Sequence, residues 1–335
     1  MSAVSATSDI RWGILGPGYV AGLFAQDLAR TPGARCVAVA SRDAGRAGAF
    51  AEGHGIARAY GDYAALAADP EVDVVYIATP HSHHFAHAGT MLDAGKPILL
   101  EKPFTKNAAE AATLIALARQ RGLFLMDAMW SLCNPLLQSL VARVRAGEIG
   151  TPRAYSALLG PIGVPKGHRV DDPALGGSYI LECLVYPLNI LAALAPALMK
   201  GAAVSAAAVR SASGVATSAA IQLASLAGLS VMSGGFVVGG QGAGPSGFQL
   251  IGDQGWLCVT DNLFNPGRAQ ISTPAGVEHL TEPASASRYR WEIEEVGRCL
   301  RAGLPESPMV PLDLTLAVMQ VLDQAMADAK GKAPT

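Results

Sequence analysis

The stretch "ILLEKPFTKN", residues 98–107, sets Glu101, Lys102 and Pro103 directly behind an apolar run. Strand interiors avoid such residues, so the triplet marks a strand end. A lysine there can bind a substrate hydroxyl and take part in its proton transfer, a neighbouring glutamate can tether the geometry, and proline stops the strand and fixes the turn. Position explains the charge, because in open α/β sheets ligands bind beyond the carboxyl ends of the strands. A second set with chemical meaning is "GILGPGYVA", which reads Gly16-x-Gly18-x-x-Ala21. Gly16 permits a tight turn. Gly18 lacks the Cβ that would keep a pyrophosphate from the backbone, Tyr19 and Val20 open a helix whose positive end meets the phosphates, and small Ala21 lets that helix pack on its strand.

Where the next strand ends, an acidic residue would bind both hydroxyls of an adenosine ribose. This chain has Ser41 and Arg42 there, with Arg46 close behind. With no carboxylate to repel a phosphate, Arg42 can pair with it bidentately and stack on adenine, so NADP(H) is favoured over NAD(H). The density of histidines in "HSHHFAH" (His81, His83, His84, His87) invites a metal. No Cys, Asp or Glu stands nearby to complete a tetrahedral site, and no metal is expected.

These residues need a sheet to hold them. The runs "IRWGIL", "RCVAVAS", "VDVVYIAT", "PILLE" and "LFLMDA" alternate with helical patterns such as "AAEAATLIALARQRG". Near-continuous apolar runs divided by amphipathic stretches predict parallel strands with covering helices, a doubly wound sheet. Asp127 and Trp130 close the last of these runs, where the chain leaves for a second domain; Asp127 is placed to bond a nicotinamide-side group and Trp130 to form a pocket wall or pack in the core. From about residue 152 the pattern changes to alternating runs with Gly and Ser at the turns, which predicts antiparallel strands. The glycine-dense "SGGFVVGGQGAGPSG" reads as a flexible hairpin, and two amphipathic helices, "RYRWEIEEVGRCLRAG" and "LDLTLAVMQVLDQAMADA", precede a fraying "KGKAPT".

The chain of 335 residues is half apolar, enough for two domains with sizeable cores. Charged residues make up 16% and the formal net charge is −2, which gives nucleic acid and anionic membranes nothing to hold and leaves a small molecule as the expected partner. Five scattered cysteines without CxxC spacing suggest a reducing compartment, and the opening "MSAVSATSDIRW" lacks the basic and apolar regions of a secretion signal, so a cytoplasmic protein is expected.

"GILGPGYVA", "VYIATPHSHHFAHAGTMLDAGKPILLEKPF" and "YRWEIEEVGRCLRAG" together resemble the Gfo/Idh/MocA oxidoreductase family, from about residue 10 to about residue 325. "LMDAMW" and "ALGGSYILECLVYPLN" are most similar to its branch of dihydrodiol dehydrogenases and NADP-dependent D-xylose dehydrogenases. The resemblance implies an α/β fold: an N-terminal Rossmann dinucleotide-binding domain, residues 1–128, and a C-terminal α+β domain with a large, mostly antiparallel open sheet, residues 129–335, for substrate binding and dimerisation. A homodimer through the sheet faces follows, since helices cover only one face.

By the same resemblance the family's catalytic lysine falls on Lys102, beside Glu101 at the coenzyme. Thr79, Pro80, His81 and His84 lie in the turn under the nicotinamide and ribose, while His83 and His87 are solvated or packing residues. Arg169 falls near the coenzyme or substrate. The family's second element, Asp-x-Gly-x-His or Asp-x-Gly-x-Tyr, falls on Glu182 to Tyr186, making Tyr186 the proton donor and acceptor and Glu182 a substrate ligand alongside Lys102 and Trp130. Glu182, Leu184 and Leu132 depart from the pattern, and the two leucines suggest a substrate less polar than a free pentose. The implied reaction moves a hydride between nicotinamide and a secondary alcohol or ketone of a sugar, sugar-derived or cyclic diol. The alternatives are a redox glycosidase that keeps NAD bound, which Ser41 and Arg42 argue against, and a non-catalytic NADP-binding regulator.

Overall fold

The computed structural model describes residues 8–165, 169–282 and 287–331. They fall into two compact units: residues 1–130 with 286–316, and residues 131–285 with 317–335. In the first unit β1 (Ile10–Leu15), α1 (Tyr19–Leu28), β2 (Ala34–Ala40), α2 (Ala44–His54), β3 (Arg58–Tyr60), α3 (Tyr63–Ala68), β4 (Val74–Ile77), α4 (His84–Asp93), β5 (Ile98–Leu100), α5 (Ala108–Arg121) and β6 (Leu125–Asp127) follow one another. The six strands form a parallel sheet in the order β3-β2-β1-β4-β5-β6, as expected of a Rossmann domain. Every residue of β4, β5 and β6 is buried, which is why their sequences carry no polar alternation. Asp43, Asp62 and Asn107 each accept a backbone N–H in the first turn of α2, α3 and α5, and glycines with positive φ, Gly55 and Gly122, end α2 and α5.

The second unit contains α6 (Pro135–Arg145), β7 (Pro152–Val164), α7 (Val185–Leu194), β8 (Ala203–Arg210), β9 (Ala216–Ser225), β10 (Gly228–Val238), β11 (Ser246–Gly252), β12 (Trp256–Val259), β13 (Arg268–Thr273) and β14 (Gly276–Thr281). Its eight-stranded sheet has the order β14-β13-β12-β11-β7-β10-β9-β8; β7 and β10 run parallel and the other neighbours antiparallel. Tyr155, Ala157, Leu159, Met232, Phe248 and Leu250 fill one face. On the other, Leu158, Leu229, Val231 and Ile251 stay 40–53% exposed.

The glycine-dense segment is not the hairpin its composition suggests. β10 and β11 pair with opposite sides of β7, so the residues between them cross over its end. Gly160 and Gly163 donate to Pro245 O and Gly242 O, and Gly239 and Gly244 donate to Val164 O and Pro161 O. A Cβ on Gly163 would come within 2.6 Å of Gly240 O, and one on Gly160 would meet Pro245 O. The glycines are there for backbone approaching backbone.

Two helices complete the chain, α8 (Arg290–Arg301) and α9 (Leu312–Gly331). α8 packs in the first unit: Asp27 Oδ2 on α1 accepts the N–H of Arg288 (2.9 Å) and Tyr289 (3.0 Å), Arg301 donates to Gly33 O (2.8 Å), and Leu125 N on β6 donates to Pro305 O (3.2 Å). Between α8 and the sheet runs an aromatic column. Phe24 stacks on Tyr76 with ring centroids 3.8 Å apart and meets Trp12 and Tyr289 edgewise or tilted at 5.4 and 5.9 Å. Among the described residues, no helix is long and apolar enough to cross a membrane.

Candidate functional site

At the carboxyl end of β1, Gly16 has φ +95°, and a Cβ on it would lie 2.8 Å from Thr79 Cγ2. Only glycine makes this turn without strain. Gly18 is extended (φ −104°) and a Cβ there would find nothing within 4 Å. Unlike α2, α3 and α5, α1 has no side-chain cap on its first turn, and it has no acidic residue there. Open space before Gly18 and uncapped N–H groups behind it suit an anion at the positive helix end, and so suit the pyrophosphate of a dinucleotide. Tyr19 opens the helix almost fully exposed.

Beyond β2, buried Ser41 accepts the N–H of Asp43 (3.2 Å), and the exposed Arg42 guanidinium forms no ion pair among the described residues. Arg46 is exposed too, its backbone N–H on Asp43. No carboxylate stands at the end of β2 itself, and Asp43 is committed as the cap of α2.

Past β4 the chain turns through Thr79 and Pro80 into a single 3-10 turn, His81–His83, and α4. His84 is fully buried: Nε2 lies 2.8 Å from Thr79 O and Nδ1 3.0 Å from Pro103 O. Burial pushes its pKa down to about 4 against the pull of these carbonyls. Its ring therefore braces the turn after β4 against the turn after β5. His81 is buried as well, and His87 packs, with Nδ1 3.0 Å from Thr79 Oγ1 and its ring on Tyr63. Among the described residues no three His, Cys, Asp or Glu side chains converge in a way that could hold a metal ion.

Lys102 follows β5, half-buried, and the Lys102–Pro103 peptide is cis. Glu101 is buried; it accepts the Tyr76 hydroxyl at 2.7 Å and the Lys102 backbone N–H at 3.1 Å. Asp127, at the end of β6, is fully buried, and burial, then the Glu101 charge, push its carboxyl up to about 8 while Lys102 pulls it down. Trp130 packs edge-on against Tyr289 at 5.9 Å. The sequence reading missed Glu292, on the buried face of α8. Burial and the charges of Glu101, Asp127 and Asp27 hold its carboxyl well above the usual range. A glutamate among the apolar positions Ile293, Val296 and Cys299 of an amphipathic helix was the available signal.

In the second unit Tyr186 opens α7, directly after a π-helical turn, Ile180–Leu184, that carries Glu182. Such turns are rare and often mark functional positions. Pro187 has no N–H to give to the turn before it, and the wider turn relieves that demand. Tyr155 Oη donates to Pro187 O at 3.0 Å and pins the start of α7 to β7. The Tyr186 ring meets Phe264 edge-on at 4.8 Å, and Glu182 and Leu184 are buried. Leu132 lies buried in a 3-10 turn, Trp130–Cys133. Arg169 begins another, Arg169–Asp171; its side chain lies outside the described residues.

The large cavity of the first unit, about 1140 Å³, lies at the opposite, amino ends of the strands. Arg11 there is held by Asp73 and Glu71, and Lys96 by backbone oxygens.

A family model described as an oxidoreductase family with an NAD-binding Rossmann fold matches residues 10–128. Trans-1,2-dihydrobenzene-1,2-diol dehydrogenase from Bos taurus is 31% identical to this chain over 325 residues, covering 94% of this chain and 95% of the relative. D-xylose 1-dehydrogenase (NADP(+)) from Hypocrea jecorina is 31% identical over 356 residues, covering 95% and 91%. Among solved structures, a 3-ketoreductase from Actinomadura kijaniata in complex with NADP and TDP-benzene shares the fold with a TM-score of 0.81 at 24% identity, over 96% of this chain and 98% of that one.

Proposed function

The chain belongs to the Gfo/Idh/MocA family of oxidoreductases, and on that premise we propose an NADP-dependent dehydrogenase or reductase acting on a secondary alcohol or ketone of a sugar, sugar-derived or cyclic dihydrodiol substrate. The observation that carries this reading is a juxtaposition on one sheet edge. An uncapped, acid-free helix N-terminus behind Gly18 follows β1, and Lys102, its neighbour Glu101 bonded to Tyr76, follows β5, two strands away.

The coenzyme, when bound, supplies or accepts the hydride. Lys102 binds the reacting oxygen and steadies the charge it carries, and Tyr186 gives or takes its proton. Glu182 binds a further hydroxyl, while Leu184 and Leu132 make the pocket drier and favour a less polar substrate. Arg42, with no carboxylate partner among the described residues, takes the 2'-phosphate that distinguishes NADP(H) from NAD(H), with Arg46 beside it. The exposed apolar face around Leu158, Leu229, Val231 and Ile251 is where a second copy would pack. Five cysteines that form no disulfide among the described residues suit a reducing cytoplasm.

The test is a spectrophotometric screen with NADP and NADPH against aldoses, inositols, aromatic dihydrodiols and small cyclic ketones. Turnover that Lys102→Ala abolishes and Tyr186→Phe suppresses, with NADPH affinity nearly intact in both, is the expected result. A Lys102→Ala protein of near-normal rate removes Lys102 from the mechanism, and tight NADPH binding with a blank panel favours the regulator.

A further inference from the structure

Four carboxyl groups are buried around the carboxyl ends of β5 and β6 and the start of α8: Asp27, Glu101, Asp127 and Glu292. Hydrogen bonds divide them. Asp27 accepts two backbone N–H groups, and Glu101 accepts the Tyr76 hydroxyl and the Lys102 N–H. Each has the donors an ionised carboxylate requires. Among the described residues, both oxygens of Glu292 and Oδ1 of Asp127 have no donor, although all are shielded from water. The buried Thr315 hydroxyl lies beside Asp127 without completing a hydrogen bond. A second pair of anions at this spot would be buried, unsolvated and beside two like charges, a combination that a protonated acid avoids.

We propose that Asp127 and Glu292 are carried as neutral acids in the resting protein, and that the ionisation of Asp127 sets the charge of the Lys102 ammonium. Both are positioning residues that act through Lys102, and the proposal rests on Lys102 being the oxygen-binding group of the reaction. The groups facing the pair are Glu101 after β5, Lys102 beyond it, Asp27 on α1, Tyr76 on β4, Tyr289 before α8 and Thr315 on α9. Among the described residues Lys102 is the cation that acts on Asp127, and it favours the loss of the Asp127 proton. Coupling is reciprocal: the Asp127 anion, once formed, makes Lys102 hold its own proton more tightly by the same free energy. Glu292 meets three carboxylates and stays neutral throughout, keeping the region from gathering a charge that Lys102 alone would have to balance. As the pH rises to about 8, Asp127 ionises, and its charge makes the Lys102 ammonium hold its proton more tightly.

Two measurements on the full chain test this without turnover. Infrared spectra of the wild type at neutral pH are expected to show the carbonyl band of protonated carboxyl groups, diminished in Glu292→Gln and in Asp127→Asn. Part of the wild-type band disappears as the pH rises through the weakly alkaline range. The absence of a band, or one that stays constant across that range, overturns the proposal, and neither result depends on a variant folding. The pH dependence of Lys102 acetylation by acetic anhydride, read by mass spectrometry, reports the lysine directly. Its midpoint is expected to fall by about one pH unit in Asp127→Asn and to stay within a few tenths in Glu292→Gln. An unchanged midpoint in Asp127→Asn breaks the link to Lys102. A protein silent on every substrate would defeat the oxidoreductase reading and leave both measurements intact.

Discussion

Gly16 and Gly18 stand two residues apart in one loop, yet replacing each by alanine should injure different properties. At Gly16 the backbone has φ +95°, which costs an L-residue about 1–2 kcal/mol, and the new methyl group would sit 2.8 Å from Thr79 Cγ2 and 3.1 Å from Thr79 N. The backbone nitrogen cannot rotate away as a side chain can, so overpacking adds about 1–2 kcal/mol. Together these lower the melting temperature of the coenzyme-free protein by about 5–15 °C, at about 2–4 °C per kcal/mol for a unit of this size. At Gly18 the angles suit any residue and the methyl group meets nothing within 4 Å. Gly18→Ala should leave the melting temperature unchanged or raise it slightly, because alanine narrows the unfolded ensemble. Its methyl group instead occupies the space left for the pyrophosphate, and NADPH affinity should fall about 10- to 100-fold, about 1.4–3 kcal/mol. Thermal melts without coenzyme and NADPH fluorescence titrations separate the two effects. A Gly18→Ala protein that binds NADPH as the wild type does would refute the reasoning about the helix N-terminus, and one that melts with Gly16→Ala would refute the distinction between the glycines.

Arg42→Ala should weaken NADPH binding about 10- to 100-fold and NADH binding by less than about threefold in the same titration, the loss of one charge-assisted pair; equal losses would remove the 2'-phosphate from Arg42. Asp127 holds its proton more tightly in the folded chain than in the unfolded one, so its burial subtracts stability as pH rises from the ordinary carboxylate range to about 8. Asp127→Asn should therefore be more stable than the wild type at pH 8, by about 2–5 kcal/mol, with the gain shrinking towards pH 4; denaturant midpoints at the two pH values check the sign, and a uniform loss at both would contradict it. In β10, a Cβ on Gly234 would collide with Tyr179 Oη and Leu159 O. Gly234→Ala should cost about 2–4 kcal/mol in a denaturant melt, and combining it with Tyr179→Phe should recover part of that loss because the phenol oxygen is gone; no recovery would show that the backbone contact dominates.

The parallel sheet was legible because strands buried on both faces must be written in unbroken Val, Ile and Leu, and "VVYI" and "ILL" are. β3 escaped because it has three residues, two of them half-exposed, and β14 because "GVEHLT" is almost wholly exposed and lacks a buried alternation. Glycine-rich composition marked a close approach of backbone but not whose, and the crossover of β7 was hidden behind a hairpin's composition. The phosphate loop and the Glu-Lys-Pro turn were readable because their chemistry is local. Glu292 was not, since its meaning depends on Glu101 and Asp127, which are distant in sequence. The π-helical turn under Glu182 has no local sequence signature beyond Pro187.

The return of α8 to the first unit has a consequence for biosynthesis. Asp27 accepts the N–H groups of Arg288 and Tyr289, and Leu125 gives its N–H to Pro305, so the parallel sheet of the first unit is covered by residues translated well after its last strand. A nascent chain halted after β6 has all six strands but leaves the Phe24 and Tyr76 side of them bare of α8. The first unit is thus covered only after the strands of the second have been made, and a chain cut short before residue 286 should emerge from the ribosome with an open apolar face and a need for chaperones.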